Sequence, residues 1–149
     1  AALVHQSSAL TALDRSSGRI VWSWSMPEWD GAFLSGFLAA PGVADGLVIA
    51  CPEYARGIPG SFKNALDWLV GSTQFPHKPV MLFNASPRAS DAQAALRLVL
   101  GTMSARVVAD ACITLDLLGR PWDAASIVAE PRLAEPVRKA LATFRNALQ

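Results

Sequence analysis

The run Gly46-Leu47-Val48-Ile49-Ala50-Cys51 narrows the possible folds of this chain more than any other stretch. It is apolar on both faces, as a strand must be when helices cover both sides of a parallel sheet. A loop rich in Pro and Gly, Pro52 to Gly60, follows it. Ser61 then stands where a helix N-cap belongs, ahead of a helix over Phe62 to Val70. The unit recurs downstream: Pro79 to Asn84 reads as a strand, Ala85 to Ser90 as a loop, and Asp91 to Ser104 as a helix with Ala95, Leu96, Val99, Leu100 and Met103 at helical spacing.

Arg106 to Leu115 supplies a further strand. Pro131 to Leu148 closes the chain as a helix with Leu133, Val137, Leu141 and Phe144 on one stripe. Toward the start, Leu3, Val4, Leu10 and Leu13 fit one face of a helix from Ala2 to Arg15, stopped by Ser16-Ser17-Gly18. Arg19 to Trp24 has the β-branched and aromatic content of a strand, and a short helix is expected near Ala32 to Ala39. Alternating helix and strand at this spacing gives an α/β fold, a doubly wound parallel sheet in three α/β/α layers. A length of 149 residues suits one domain, 1–149.

Composition removes several function classes. Thirteen basic against twelve acidic residues, with no run of Lys or Arg, argue against nucleic acid as a partner. Every apolar run is interrupted before the roughly 18 residues a membrane helix needs, so no membrane association is expected. With 52% hydrophobic and 17% charged residues, some apolar surface is expected to serve a subunit interface, as a homodimer or homotetramer. Cys51 and Cys112 lack any CxxC spacing and read as reduced thiols of a cytoplasmic protein. His5 and His77 stand apart, and neither a catalytic triad, a carboxylate pair nor a metal-ligand cluster is present, so no catalytic side chain and no metal are assigned. Chemistry that needs no protein acid or base, such as hydride transfer through a cofactor, suits such loops better than hydrolysis.

The stretch Cys51-Pro-Glu-Tyr-Ala-Arg-Gly-Ile-Pro-Gly-Ser-Phe-Lys-Asn-Ala-Leu-Asp-Trp68 resembles the signature of NADPH-dependent FMN reductases, whose usual form is TPEYNGSIPGxLKNALDW. Lys78-Pro79-Val80 and Asn84-Ala-Ser-Pro-Arg-Ala89 are similar to that family's second flavin-contacting loop and the strand before it. The resemblance implies a flavodoxin-like fold and FMN as cofactor. It places the isoalloxazine ring between Pro52, Glu53, Tyr54, Ala55, Arg56, Gly57 and Ile58 on one side and Ser86, Pro87 and Arg88 on the other. Gly57 would let backbone amides approach a flat ligand, with Pro52 and Pro59 stiffening the loop's ends. Lys63, Asn64, Asp67 and Trp68 read as structural, with Trp68 packed beneath the turn.

Ala55-Arg56-Gly57 stands where the family form has Asn-Gly-Ser, and Arg88-Ala89 replaces a Gly-rich stretch. Nothing at the start matches the family's first strand and phosphate-wrapping loop. The first strand and loop are therefore expected to be missing, and an intact relative to be longer by about 20 to 30 residues. A competing alignment makes Ala2 to His5 a clipped strand and Gln6-Ser7-Ser8 a vestigial phosphate loop.

By this resemblance the chain is an oxidoreductase that moves hydride from a nicotinamide nucleotide, NAD(P)H, through FMN to a quinone, azo, metal-oxyanion or flavin acceptor. The alternative is a flavin-free flavodoxin-like binding or scaffold domain, suggested by the absent phosphate loop.

Overall fold

The computed structural model describes residues 9–13, 20–25, 44–119 and 121–149. Six strands are found there: β1 (Ala9–Leu13), β2 (Ile20–Ser25), β3 (Gly46–Ala50), β4 (Pro79–Asn84), β5 (Arg106–Val107) and β6 (Ile113–Thr114). Four α-helices accompany them: α1 (Gly60–Leu69), α2 (Ser90–Thr102), α3 (Ala124–Ala129) and α4 (Pro131–Ala147). The sheet runs β2-β1-β3-β4-β5, with β6 pairing β4 beyond β5. Strands β3 to β6 are parallel, as expected for strands joined by helical crossovers.

Helices cover the sheet on both faces. Alternation along β4 sends Val80 and Leu82 into one core with Leu47 and Ile49 of β3, under Phe62, Ala65, Leu66 and Leu69 of α1 and Leu96 and Leu100 of α2. The α1 residues recur at i, i+3, i+4 and i+7, the spacing of a single buried stripe. On the other face Met81 packs with Ala140 and Phe144 of α4 and with Leu148. At the foot of β3 a Cβ on Gly46 would stand 2.5 Å from Leu148 Cδ2 and 2.9 Å from Phe144 Cζ, so α4 reaches the sheet only because this residue has no side chain.

Four sequence expectations are corrected. Within the stretch Ala2 to Arg15, residues Ala9–Leu13 form a strand and not a helix, antiparallel to both β2 and β3. Backbone pairing on two sides outweighs the helical spacing of Leu10 and Leu13, and the remainder of that stretch lies outside the described residues, as does 32–39. The strand expected over Arg106 to Leu115 is two dipeptide strands separated by a 3₁₀ turn, Ala109–Ala111. The Cys112 thiol accepts from Leu82 N–H at 3.4 Å and donates to Val108 C=O at 3.4 Å, bracing that interruption. Helix α1 begins at Gly60 with Pro59 as its N-cap and no side-chain cap, so Ser61 lies inside the helix. Trp68 is 57% exposed and is not packed beneath the turn, while Asn64 and Asp67 are also exposed.

Candidate functional site

The carboxyl ends of β3 and β4 lie side by side, with Ala50 registered against Phe83, so the loops after them leave the sheet together. The loop after β6 joins them: Leu115 N–H donates to Asn84 C=O at 2.8 Å and Leu117 N–H to Ala85 C=O at 3.3 Å. Open parallel sheets place ligands at this end.

The first loop folds into a tight hairpin. Tyr54 N–H donates to Gly57 C=O and Gly57 N–H to Tyr54 C=O, both at 3.0 Å. Between them Ala55 has φ 49° and Arg56 φ 63°. A two-residue hairpin with positive φ at both central positions is a type I′ turn, whose preferred occupants are Asn-Gly. Conformational freedom is therefore demanded at 55 and 56 and not at Gly57, where a Cβ would meet only Tyr54 O at 3.8 Å. Ala55→Asn is expected to raise stability by about 1 kcal/mol, because the left-handed region disfavours alanine.

The second loop is held by its own side chains. Ser86 N–H donates to Asn84 Oδ1 at 3.3 Å and Arg88 N–H to Ser86 Oγ at 3.2 Å, while Ala89 N–H closes the turn on Ser86 C=O at 3.1 Å. Asn84 Nδ2 reaches Thr114 Oγ1 at 3.4 Å, tying the loop to β6. Asn84 and Ser86 are buried, whereas Pro87 and Arg88 are exposed.

The two loops are fastened together. Glu53 Oε2 accepts from the N–H groups of Asp91 and Ala92, each at 2.9 Å. Arg56 Nε donates to Asp91 Oδ2 at 2.6 Å. That hydrogen bond and the Asp91 charge raise the Arg56 pKa against an opposing desolvation, with the smallest contribution coming from the Glu53 charge.

Beside the loops lies a cavity of about 470 Å³, within the range of small-molecule sites. Its floor and walls include Ala50, Phe83, Leu115, Leu117, Ile127 and Val137, and none of the described residues lining it is charged. Of the residues expected at the ring, Pro52 and Ser86 line this cavity. Glu53, Tyr54, Ala55, Arg56, Gly57, Ile58, Pro87 and Arg88 are absent from the described lining. The apolar wall from the loop after β6 and from α3 and α4 was missed by sequence reasoning, which followed the loop motifs and had no signal for the short α3.

Helix α3 depends on its cap. Asp123 Oδ1 accepts from Ser126 N–H at 2.7 Å and Ser126 Oγ accepts from Asp123 N–H at 2.9 Å, a capping box. The Ser126 hydrogen bonds, backbone first and hydroxyl second, hold the Asp123 carboxyl below the ordinary aspartate value. With the folded pKa depressed, its contribution is complete above the unfolded value near 3.9 and is lost as pH falls through the folded value. Fraying of α3, followed by the Ser126 amide resonance, is therefore expected below about pH 4, and Asp123→Ala should abolish that pH dependence.

The family described as NADPH-dependent FMN reductase matches residues 34–117, more than half of the chain. The chain belongs to this family. Over 61 residues it is 46% identical to the NADH:(hydroxy)cinnamate reductase subunit CrdA of Vibrio ruber, covering 38% of this chain and 30% of that one. Over 45 residues it is 47% identical to a quinone reductase of Escherichia coli strain K12, covering 29% of this chain and 24% of that one. Each match therefore spans less than a third of the curated relative. Among solved structures, the apo form of the NADH:FMN oxidoreductase EMOB aligns with TM-score 0.59 at 27% identity, over 80% of this chain and 62% of that one. FerB of Paracoccus denitrificans, an NAD(P)H:(acceptor) oxidoreductase, aligns with TM-score 0.53 at 20% identity over 83% and 75%, a likeness of fold alone. The family's three-layer flavodoxin-like architecture agrees with the helices found on both sheet faces.

No helix among the described residues is long and apolar enough to cross a membrane. Neither Cys51 nor Cys112 forms a disulfide among the described residues. Among the described residues no group of three or more His, Cys, Asp or Glu could hold a metal ion. His77 sits just before β4, at the opposite end of the sheet from the loops, and His5 lies outside the described residues.

Proposed function

We propose that the whole chain is one domain that holds the isoalloxazine ring of FMN at the carboxyl ends of β3 and β4. In this reading it passes hydride from NAD(P)H to a small acceptor: a quinone, an azo compound, a metal oxyanion or free flavin. The convergence of the two family loops beside an apolar cavity carries this reading. The lining fits a flat, largely apolar ring, with Asn84 and Ser86 as the buried polar groups at its edge.

Bound FMN would supply a two-electron acceptor that no side chain offers. The chain's own contribution is positional. Pro52 and Ser86 would border the ring, the apolar wall would exclude water, and the exposed turn at Ala55 and Arg56 leaves backbone N–H groups outside the hairpin pairing. A nicotinamide stacked over the ring needs about 3 to 3.5 Å between reacting atoms, and loops of fixed spacing provide that approach.

Titration with FMN and riboflavin, followed by anaerobic NADPH, tests the reading. Flavin absorbance that appears and is then bleached supports it. A chain that takes up neither flavin would be a flavin-free binding domain. Because the described lining carries no cation for a phosphate, FMN is expected to bind no more than about tenfold tighter than riboflavin.

Arg56 and Arg88, both exposed, are proposed to meet the nucleotide's phosphates. Arg56→Gly should separate two effects. Relief of the left-handed φ raises thermal stability, since the lost ion pair is 85% exposed on its arginine side and holds little. The KM for NADPH meanwhile rises roughly tenfold with kcat little changed, because the contact is made equally in ground and transition states. Steady-state kinetics and melting curves of the variant check both.

A second copy of the chain is the proposed protein partner, as a homodimer or homotetramer. Trp68 at 57% and Leu98 at 73% exposure leave apolar surface on the outer helical layer. Trp68→Glu is expected to lower the sedimentation-derived mass to that of one chain. Cys51 and Cys112, neither of them in a disulfide among the described residues, support a reducing, cytoplasmic setting.

A further inference from the structure

Helix α2 begins without a local cap. Its N-cap residue is Ala89, whose side chain can accept nothing, and the first N–H groups of a helix need an acceptor. The acceptor comes from the other loop: Glu53, 38 residues before Asp91, places Oε2 at 2.9 Å from the N–H groups of Asp91 and Ala92. Asp91 returns the contact through its own carboxylate, which receives Arg56 Nε at 2.6 Å. Loop 52–58 is thus bound to the first turn of α2 by Glu53 just before its hairpin, with an exposed contact from Arg56 at the turn, and loop 84–89 leads directly into that helix.

We propose that Glu53 is a positioning residue: it caps α2 across the gap between the loops and so fixes the spacing at which they grip a flat ring, acting through the α2 backbone and not by touching the ligand. The inference rests on the flavin reading of the site for its functional consequence. Its structural content, a cap shared between two loops, stands apart from that reading. A cap from the same loop would stabilise the helix equally well but would leave the loops independent. Here the hydrogen bonds are charge-assisted, they favour a carboxylate at the positive end of the helix, and Glu53 is half-buried, so the link is shielded from competing water.

The test separates capping from coupling. In Glu53→Ala, amide exchange at Asp91 and Ala92 should speed up together with that at Tyr54 and Gly57, and flavin Kd should rise roughly tenfold or more. Adding Ala89→Ser supplies a hydroxyl acceptor to the same N–H groups from within the second loop. The double variant is expected to regain protection at Asp91 and Ala92 and its melting temperature, but not protection at Tyr54 and Gly57 or flavin affinity. Because Ala89 lines the cavity, the double variant's flavin affinity is compared with that of Ala89→Ser alone, and Glu53→Gln, which keeps an acceptor oxygen, should stay within a few-fold of the parent.

Recovery of flavin affinity in the double variant would overturn the proposal, since Glu53 would then be a helix cap and nothing more. A loss in Glu53→Gln as large as in Glu53→Ala would also overturn it, by showing that the charge meets the ligand directly. A parent chain with no flavin affinity would refute the functional reading alone. The exchange pattern would then decide the coupling: joint deprotection of both loops upholds it, and deprotection of Asp91 and Ala92 alone rejects it.

Discussion

Ala50→Phe is expected to exclude flavin while leaving the chain at least as stable as before. Ala50 ends β3, registers against Phe83 and forms part of the cavity floor, on the sheet face covered by α4. A phenyl group there would grow into about 470 Å³ of space and bury itself against Phe83 and the wall from α3 and α4. Filling a cavity commonly stabilises a fold, and a ring system cannot share the space. Flavin affinity should fall at least a hundredfold, about 2.7 kcal/mol, with the melting temperature unchanged or higher. Undiminished binding would move the ring out of the cavity to the outer surface of the Tyr54–Gly57 turn.

Phe62→Ala is expected to cost the fold about 3–5 kcal/mol, a large share of the roughly 5–15 kcal/mol that holds a domain together. Phe62 is fully buried among Leu66, Leu69, Leu82 and Leu96, and it stands in the first turn of the helix that receives the Pro52 to Gly60 loop. The cost is the lost burial of the ring plus the cavity left where the surrounding side chains do not close on it. Denaturant unfolding reads the loss as a lower midpoint at constant slope. A change below about 1 kcal/mol would mean that the core under α1 repacks freely.

The parts of the fold legible in the sequence were those where a single physical requirement ruled. Gly46 to Ala50 had to be a covered strand because it is apolar on both faces, and Phe62 to Leu69 had to be a helix because its apolar side chains recur on one stripe. Residues 9–13 were misread because Leu10 and Leu13 satisfy a helical spacing equally well, and only the partners on either side make them a strand. Arg106 to Leu115 contains the apolar content of a strand, yet the thiol of Cys112 and the Ala109–Ala111 turn break it in two. At the site, the motif located both loops. It could not show that Glu53 points at a helix end, that Arg56 is held by Asp91, or that residues of the loop after β6 and of α3 and α4 complete the cavity. Those contacts join positions far apart in sequence and leave no periodic trace.

The mixed direction of the sheet bears on the order in which the chain folds. Strands β1 and β2 are close neighbours in sequence and pair antiparallel, so their ladder can close by a short local search. The β3–β4 ladder joins Leu47 to Val80 in parallel and must wait for the intervening α1 to bring its strands together. Among the described residues these two ladders meet where β1 pairs β3, from Ala9 opposite Ala50 to Leu13 opposite Gly46. In refolding, the hairpin is thus available early as a template edge. Strand β3, which carries the first ligand loop, becomes an inner strand when it docks on that edge, so a slow step seen by a probe at Ala50 and not by one at Ser25 would mark the seam closing.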